Sequence, residues 1–179
     1  RALILDGETP RGRVFVQEQA IHEENGLQVL DYERASEVIR TASHIGVSLC
    51  YCRHKMSHMD RACQAPLDIC MTFNTSAASL VRHGHARSVE SSECLDLLSV
   101  AYSNNLVQFG ENVRRNVNFI CNCCGCCCEA LLAIQKFGLV RPIHSNFIVE
   151  IIEDRCIGCG KCSELCPVDA LIMEGKDDK

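Results

Sequence analysis

The residues best suited to chemistry in this sequence are its cysteines, four of which form an ordered motif near the C-terminus. The motif reads Cys156-x2-Cys159-x2-Cys162-x3-Cys166-Pro167. Three thiolates at this interval on one turn can bind three irons of a single cubane, and the fourth usually points at a different cluster. Gly158 and Gly160 allow the tight turn that this convergence needs. The spacing predicts a 4Fe-4S site, because a zinc knuckle uses two separated pairs of ligands.

Cysteine is abundant in the rest of the chain as well, at 15 of 179 residues. The odd count and the runs of adjacent cysteines disfavour a disulfide framework, so the thiols are predicted to be metal ligands in a reducing cytoplasm. A net charge of -5 offers no basic surface for nucleic acid. No apolar run approaches the roughly 20 residues of a membrane-spanning helix. The chain begins at Arg1 rather than Met, so we expect a processed or truncated N-terminus.

A second group of cysteines in the first half of the chain has the size of one complete ligand set. Its members are Cys50, Cys52, Cys63 and Cys70. A strand predicted over residues 47–52 places Cys50 and Cys52 on one face, and the following loop can bring the other two to them. A cubane cluster is the main hypothesis, and a zinc site or packed, unligated cysteines are the alternatives. His54 and His58 could add ligands if they lie on a helix; otherwise the cations of this loop offset thiolate charge or face solvent.

The third group is the densest, with six cysteines in eight residues. They are Cys121, Cys123, Cys124, Cys126, Cys127 and Cys128. Cys121, Cys124 and Cys127 repeat the ferredoxin spacing, with Gly125 at the turn, but Leu131 stands where the fourth cysteine would be. Cys166 is therefore the predicted fourth ligand of that cluster, and the other three cysteines form an offset register that could face a neighbouring cluster. Cys94 stands alone on a predicted helix and is expected to be a core residue.

The elements that must position these groups indicate an α+β protein: a cysteine-rich helix and strand domain followed by a ferredoxin-type 4Fe-4S segment. Helices are predicted over 32–43 with Asp31 as N-cap, from about 75 to Gly84, over 88–103 and over 129–137; strands are predicted over 13–17, 47–52, 69–74 and 146–152. Residues 1–27 are expected to be a lead-in or the remnant of an upstream domain, 28–144 the cysteine-rich domain and 145–179 the ferredoxin-type segment.

Several motifs precede the C-terminal one in a fixed order: Leu49-Cys-Tyr-Cys-Arg-His54, Cys63-x2-Pro66-x3-Cys70, Asn118-x2-Cys-x-Cys-Cys-Gly-Cys-Cys-Cys128 and Ser145-Asn-Phe147. Over roughly residues 28–173 the chain resembles an uncharacterised, multi-cluster 4Fe-4S binding (ferredoxin-type) protein family of anaerobic bacteria and archaea. The resemblance implies electron transfer through several clusters, with no agreed substrate or partner. Family members carry an upstream domain and a second downstream ferredoxin motif, neither of which is recognisable in this sequence.

The predicted function is the relay of single electrons between redox partner proteins through two or three 4Fe-4S clusters, more as an electron carrier or oxidoreductase subunit than as an independent catalyst. One alternative is a redox enzyme subunit that binds a small substrate at an incompletely ligated cluster. The other is a structural zinc or cluster protein. The predicted cluster ligands are Cys50, Cys52, Cys63, Cys70, Cys121, Cys123, Cys124, Cys126, Cys127, Cys128, Cys156, Cys159, Cys162 and Cys166.

Overall fold

A computed structural model describes residue 10 and residues 12–21, 29–138 and 143–173. Within these ranges the strands form one sheet: β1 (Gly12–Val14), β2 (Ile45–Leu49), β3 (Asp68–Phe73), β4 (Arg87–Ser88), β5 (Val107–Glu111), β6 (Phe119–Cys123) and β7 (Ile143–His144). Their spatial order is β4-β2-β3-β6-β5-β1-β7. Neighbouring strands are antiparallel, except that β1 and β7 are parallel.

The described helices are α1 (Ala35–Thr41), α2 (Tyr51–Ser57), α3 (Asn74–Arg82), α4 (Ser91–Ser103), α5 (Glu129–Phe137) and α6 (Lys161–Leu165). Short 3-10 turns cover Glu18–Ala20, Asp31–Glu33 and Glu153–Arg155. The helices and the largely antiparallel sheet agree with the predicted α+β class. None of these helices combines the length and the apolar character that crossing a membrane requires.

The main core fills one face of the sheet. Along β3 burial alternates: Ile69, Met71 and Phe73 are buried, whereas Cys70 and Thr72 are only half-buried. This two-residue period sends the apolar side chains to one face and Cys70 to the other. The α1 and α4 helices pack on the apolar face. Cys94 on α4 is fully buried there, which confirms its prediction as a core residue.

Several predicted elements agree with the structure because their boundary signals are local. The α5 helix has the predicted bounds, and Gly138 ends it with a φ of 61°. The predicted strand over 69–74 is β3, shifted by one residue. The helix predicted over 32–43 is a 3-10 turn followed by α1, whose N-cap is Arg34 rather than Asp31. The helix expected from residue 88 begins at Ser91, because Ser88 pairs with Gly46 in the sheet.

Three differences from the prediction change how the thiols are placed. The strand predicted over 47–52 ends at Leu49, and α2 begins at Tyr51, so Cys50 and Cys52 do not share a strand face. Residues 119–123, which include Cys121 of the predicted half-site, form strand β6. The strand predicted over 146–152 is absent from the described residues; Ile148 and Val149 are 93% and 78% exposed, and no neighbouring strand pairs with this stretch.

Candidate metal centre

The face of the sheet opposite the main core carries thiols on two adjacent strands. Met71 of β3 lies opposite Ile120 of β6, so continuing the antiparallel register by one residue sets Cys70 opposite Cys121. Cys121 and Cys123 are two residues apart on β6 and therefore project from the same face. The sheet thus brings three thiols together without any loop.

Two helix starts extend this line of thiols. Cys50 is the N-cap of α2 with Cys52 in its first turn, and Cys128 is the N-cap of α5. Neighbouring thiols interact in the order Cys50, Cys70, Cys121, Cys123, Cys128 and Cys52. We call these residues the six-thiol row. The α2 and α5 helices are also joined by an ion pair between Lys55 and Glu129.

The pKa values along the six-thiol row diverge because neighbouring thiols share protons. Contact with Cys123 lowers the pKa of Cys121 to about 4. Contact with Cys123 and then Cys52 lowers the pKa of Cys128 to about 3, assisted by backbone N-H groups at the start of α5. The same contacts raise the pKa of Cys123. Two thiols of the row therefore have lowered pKa values and the other four have raised ones, and a metal cation would take the place of the shared protons.

Four other cysteines form a separate and tighter cluster, which we call the four-thiol group. Cys63, Cys124, Cys126 and Cys127 have sulfur atoms that all lie within 4.8 Å of one another. Across the described part of the chain, no other set of three or more Cys, His, Asp or Glu side chains is this compact. The Cys126 and Cys127 sulfurs are 3.5 Å apart. Cys127 is buried and Cys126 is exposed, so the group is anchored in the protein with one side open to solvent.

A fully buried cation, Arg53 of α2, lies beside both sets of thiols. Its guanidinium donates hydrogen bonds to the backbone carbonyls of Pro66 and, at 3.3 Å, Asn122, while Nε has no hydrogen-bond partner among the described residues. Burial lowers the pKa of Arg53, but the thiols of Cys124 and Cys50 more than reverse this. Burying a cation is costly unless negative charge accompanies it. The buried guanidinium of Arg53 therefore fits a site in which a bound metal would hold the neighbouring sulfurs as thiolates.

A polar network behind β6 holds the thiol-bearing strand in register. Asn122 is fully buried between Cys121 and Cys123 in sequence, and its side chain points to the opposite face. Its Nδ2 donates to the carbonyl of Ile69 at 2.8 Å, and its Oδ1 accepts from Nε2 of Gln108 at 3.0 Å. Sequence reasoning missed this network, although a lone amide within a run of cysteines could have drawn attention to it.

The C-terminal motif begins with a loop that turns at two glycines and leads into α6. Gly158 and Gly160 have φ values of 65° and 76°, which favour glycine and support the predicted tight turn. Cys156, Cys159 and Cys162 are exposed. Two thiols on a loop bent by these glycines, and a third in the first turn of α6, are a donor set that fits a 4Fe-4S cluster.

The same segment packs against the cysteine-rich loop. A Cβ atom at Gly125 would overlap the backbone carbonyl of Pro167, so these two backbones are in close contact. Gln135 of α5 donates a hydrogen bond to the Pro167 carbonyl at 2.8 Å, and Val168 packs on the cluster that contains Leu131. The ferredoxin-type segment is thereby held next to Cys124 and Cys126, the neighbours of Gly125 in sequence.

The groupings expected from the sequence differ from those in the structure. Cys63 does not join Cys50, Cys52 and Cys70; it lies in the loop between α2 and β3, and its thiol belongs to the four-thiol group. The expected half-site of Cys121, Cys124 and Cys127 is likewise divided, since Cys121 belongs to β6 while Cys124 and Cys127 lie on the turn that follows. Which cysteines bind metal stays a prediction for all fourteen residues.

Two further expectations concern His54, His58 and Cys166. The two histidines are exposed, and their Nε2 atoms lie 3.3 Å apart, so they contact each other, and neither belongs to the four-thiol group. The Cys166 sulfur accepts a hydrogen bond from the N-H of Ala170 at 3.2 Å. Its role as a ligand of a second cluster stays a prediction.

Comparison with known proteins bears on the C-terminal segment. Residues 149–172 match the family of 4Fe-4S binding domains. A subunit of the ion-translocating oxidoreductase complex of Shewanella pealeana is 38% identical over 42 residues, which cover 24% of this chain and 22% of that protein. An uncharacterised ferredoxin of Methanocaldococcus jannaschii is 31% identical over 88 residues, with 33% of this chain and 53% of that protein covered.

The matched part of the chain thus covers 22% of the length of the oxidoreductase subunit and 53% of the length of the ferredoxin. No solved structure matches it. The family match covers all four cysteines of the C-terminal motif. Residues 149–172 are therefore a ferredoxin-type 4Fe-4S binding segment, as the cysteine spacing predicted.

Proposed function

We propose that this protein is an electron carrier, or an electron-transfer subunit of an oxidoreductase, that relays single electrons between redox partner proteins. The observation that carries the proposal is the backbone contact between Pro167 and Gly125. It holds the 4Fe-4S segment against the turn between β6 and α5, whose two ends carry Cys123 and Cys128 of the six-thiol row. A relay needs adjacent redox centres, and this contact supports such an arrangement.

The proposed relay uses two 4Fe-4S clusters, for which the chain offers separate sets of cysteines. Cys156, Cys159 and Cys162 would hold the cluster of the C-terminal domain, and Cys166 would reach toward a second centre. The six-thiol row contains more than the four thiolates that one further cluster needs. A bound 4Fe-4S cluster supplies reversible uptake of one electron at a potential set by burial and by hydrogen bonds to its sulfurs.

The proposed cellular setting is the cytoplasm of an anaerobe, and the thiols and one relative support the proposal. All fifteen cysteines are free, which suits the reducing cytoplasm of an anaerobe. The relative named as part of an ion-translocating oxidoreductase complex supports a role in which electrons pass to or from partner proteins.

Metal and sulfide analysis of protein purified without oxygen tests the proposal. We expect iron and acid-labile sulfide in equal amounts from the clusters, and a reduced-state EPR signal. A Cys156→Ser/Cys159→Ser variant should lose about four iron and four sulfide together with one EPR signal. Cys94→Ala is the control, because it removes a buried thiol from the other face of the sheet. Protein that contains zinc alone, or iron that cannot be reduced reversibly, would contradict the proposal.

A further inference from the structure

We propose that the four-thiol group of Cys63, Cys124, Cys126 and Cys127 is a closed site for one tetrahedral metal ion, zinc or iron, distinct from the iron-sulfur clusters. This goes beyond the relay proposed above, because an ion of this kind can hold the fold together whether or not electrons pass through the protein.

The spacing of the sulfur atoms suits a single ion. Four sulfurs bound to one tetrahedral ion at about 2.3 Å lie about 3.8 Å from one another. The four sulfurs here all lie within 4.8 Å of one another, and the Cys126 and Cys127 sulfurs are 3.5 Å apart. In a cubane each thiolate binds a different iron and points outward from its own corner, so the ligand sulfurs lie further apart than sulfurs that share one ion.

A contrast within the same protein also favours a single ion. Cys156, Cys159 and Cys162 belong to the 4Fe-4S domain, and their sulfurs do not form a group of this compactness. The six-thiol row does not form one either. The four-thiol group therefore differs in geometry from the motif that matches the 4Fe-4S family, and a tetrahedral set of four sulfurs is typical of zinc or iron.

The charges around the four-thiol group fit a bound ion as well. Four thiolates around a divalent ion carry a formal charge of about −2, which is costly to bury without compensation. Arg53 is fully buried beside Cys63 and Cys124, and its Nε has no hydrogen-bond partner among the described residues. A guanidinium with an unused N-H in this position can both offset the charge and donate to a thiolate sulfur.

The surrounding chain shows what the ion would hold together. Cys63 lies in the loop between α2 and β3, whereas the other three ligands lie on the turn between β6 and α5. The N-H of Cys128 bonds to the carbonyl of Cys124 at 3.2 Å and closes that turn. One ion at this position would cross-link two segments about 60 residues apart in sequence, which is the role of a structural metal site.

The first test uses the unaltered full-length protein. Each 4Fe-4S cluster contributes equal iron and sulfide, so clusters alone give a total of metal minus sulfide close to zero. A single-ion site adds about one metal ion with no sulfide. We expect this excess after anaerobic purification; zinc would appear as zinc, and iron as iron in excess of sulfide. A total metal content equal to the sulfide content overturns the inference.

Two variants locate the ion. Cys126→Ala removes the exposed ligand, and Cys63→Ala removes the ligand on the other segment. Each should lower the metal content by about one ion and leave sulfide unchanged, while Cys94→Ala changes neither. Circular dichroism checks the fold of each variant. If both variants are misfolded, the metal and sulfide contents of the unaltered protein decide the question. Joint loss of about four iron and four sulfide would show a cubane and overturn the inference, as would unchanged metal in both folded variants. The EPR signal of the C-terminal domain reports separately on the proposed relay.

Discussion

Nη2 of Arg53 donates a hydrogen bond to the backbone carbonyl of Asn122 at 3.3 Å, and both side chains are fully buried. Asn122 lies between two thiol-bearing residues of β6, so the bond ties α2 to the strand that carries part of the six-thiol row. The same guanidinium donates to Pro66, in the loop that carries Cys63. One side chain therefore fixes the positions of both sets of thiols.

Replacing this guanidinium should destabilise the metal-loaded protein strongly. Arg53→Met leaves two carbonyls without a donor and the thiolates without a buried cation, and we expect a loss of about 3–5 kcal/mol in the free energy of unfolding. Arg53→Lys keeps the charge but not the planar fork, so it should recover only part of this loss. Anaerobic urea unfolding measures both.

Arg61→Met is the matched control, because Arg61 follows α2 closely but is exposed. Its effect should stay within about 0.5 kcal/mol. If Arg53→Met costs no more than Arg61→Met, then Arg53 neither pairs with thiolates nor organises the site.

The amide of Asn122 should matter for stability although it is not a metal ligand. Asn122→Ala leaves the carbonyl of Ile69 without its donor and removes the acceptor of Gln108, so we expect a loss of about 1–3 kcal/mol. The control is Asn104→Ala, which removes an exposed hydrogen bond from a side-chain amide at the end of α4. Equal unfolding midpoints for the two variants would argue against the network.

Gly125 should be intolerant of any side chain, because the Pro167 backbone occupies the space that a Cβ would fill. The backbone of Gly125 does not require glycine conformationally, so Gly125→Ala tests the contact alone. We expect the 4Fe-4S segment to loosen and protease cleavage between residues 143 and 160 to become several-fold faster. Gln135→Ala removes only a hydrogen bond to the same carbonyl and should have a smaller effect. Unchanged cleavage of both variants would show that the segment does not depend on this contact.

Removing metal should loosen the thiol face before the apolar face. The proposed metal-thiolate bonds would replace part of the packing around Cys123 and Cys128, whereas Phe73, Leu98 and Ile120 form a core on the other side. Chelation under reducing conditions should lower the melting temperature and expose α5 to protease first. An apoprotein that melts cooperatively near the temperature of the metal-loaded form would show that the metal sites do not support the fold.

The sequence predicted those elements whose signals are local. Helix α5 has an apolar face and ends at Gly138, and β3 alternates apolar and polar residues, so both could be located from the chain alone. The placement of Cys50 and Cys52 could not, because a short run such as 47–52 fits a strand or a helix start equally well.

Cysteine spacing predicted the C-terminal 4Fe-4S domain but not the division of the central cysteines. Cys121, Cys124 and Cys127 have ferredoxin spacing, yet the pairing of β6 with β3 and β5 places Cys121 on a strand and the other two beyond it. That pairing joins residues far apart in sequence, and no motif within the cysteine run reports it. The proximity of Cys63 to Cys124, Cys126 and Cys127 depends on the same long-range contacts.

The most direct test of electron transfer by this protein is a redox titration of the anaerobically purified chain, followed by EPR spectroscopy. We expect at least one signal that appears and disappears reversibly with a one-electron dependence on potential, and that is absent from the Cys156→Ser/Cys159→Ser variant. Iron-loaded protein without any reversible one-electron signal, or a signal that survives in that variant unchanged, would contradict the proposed relay.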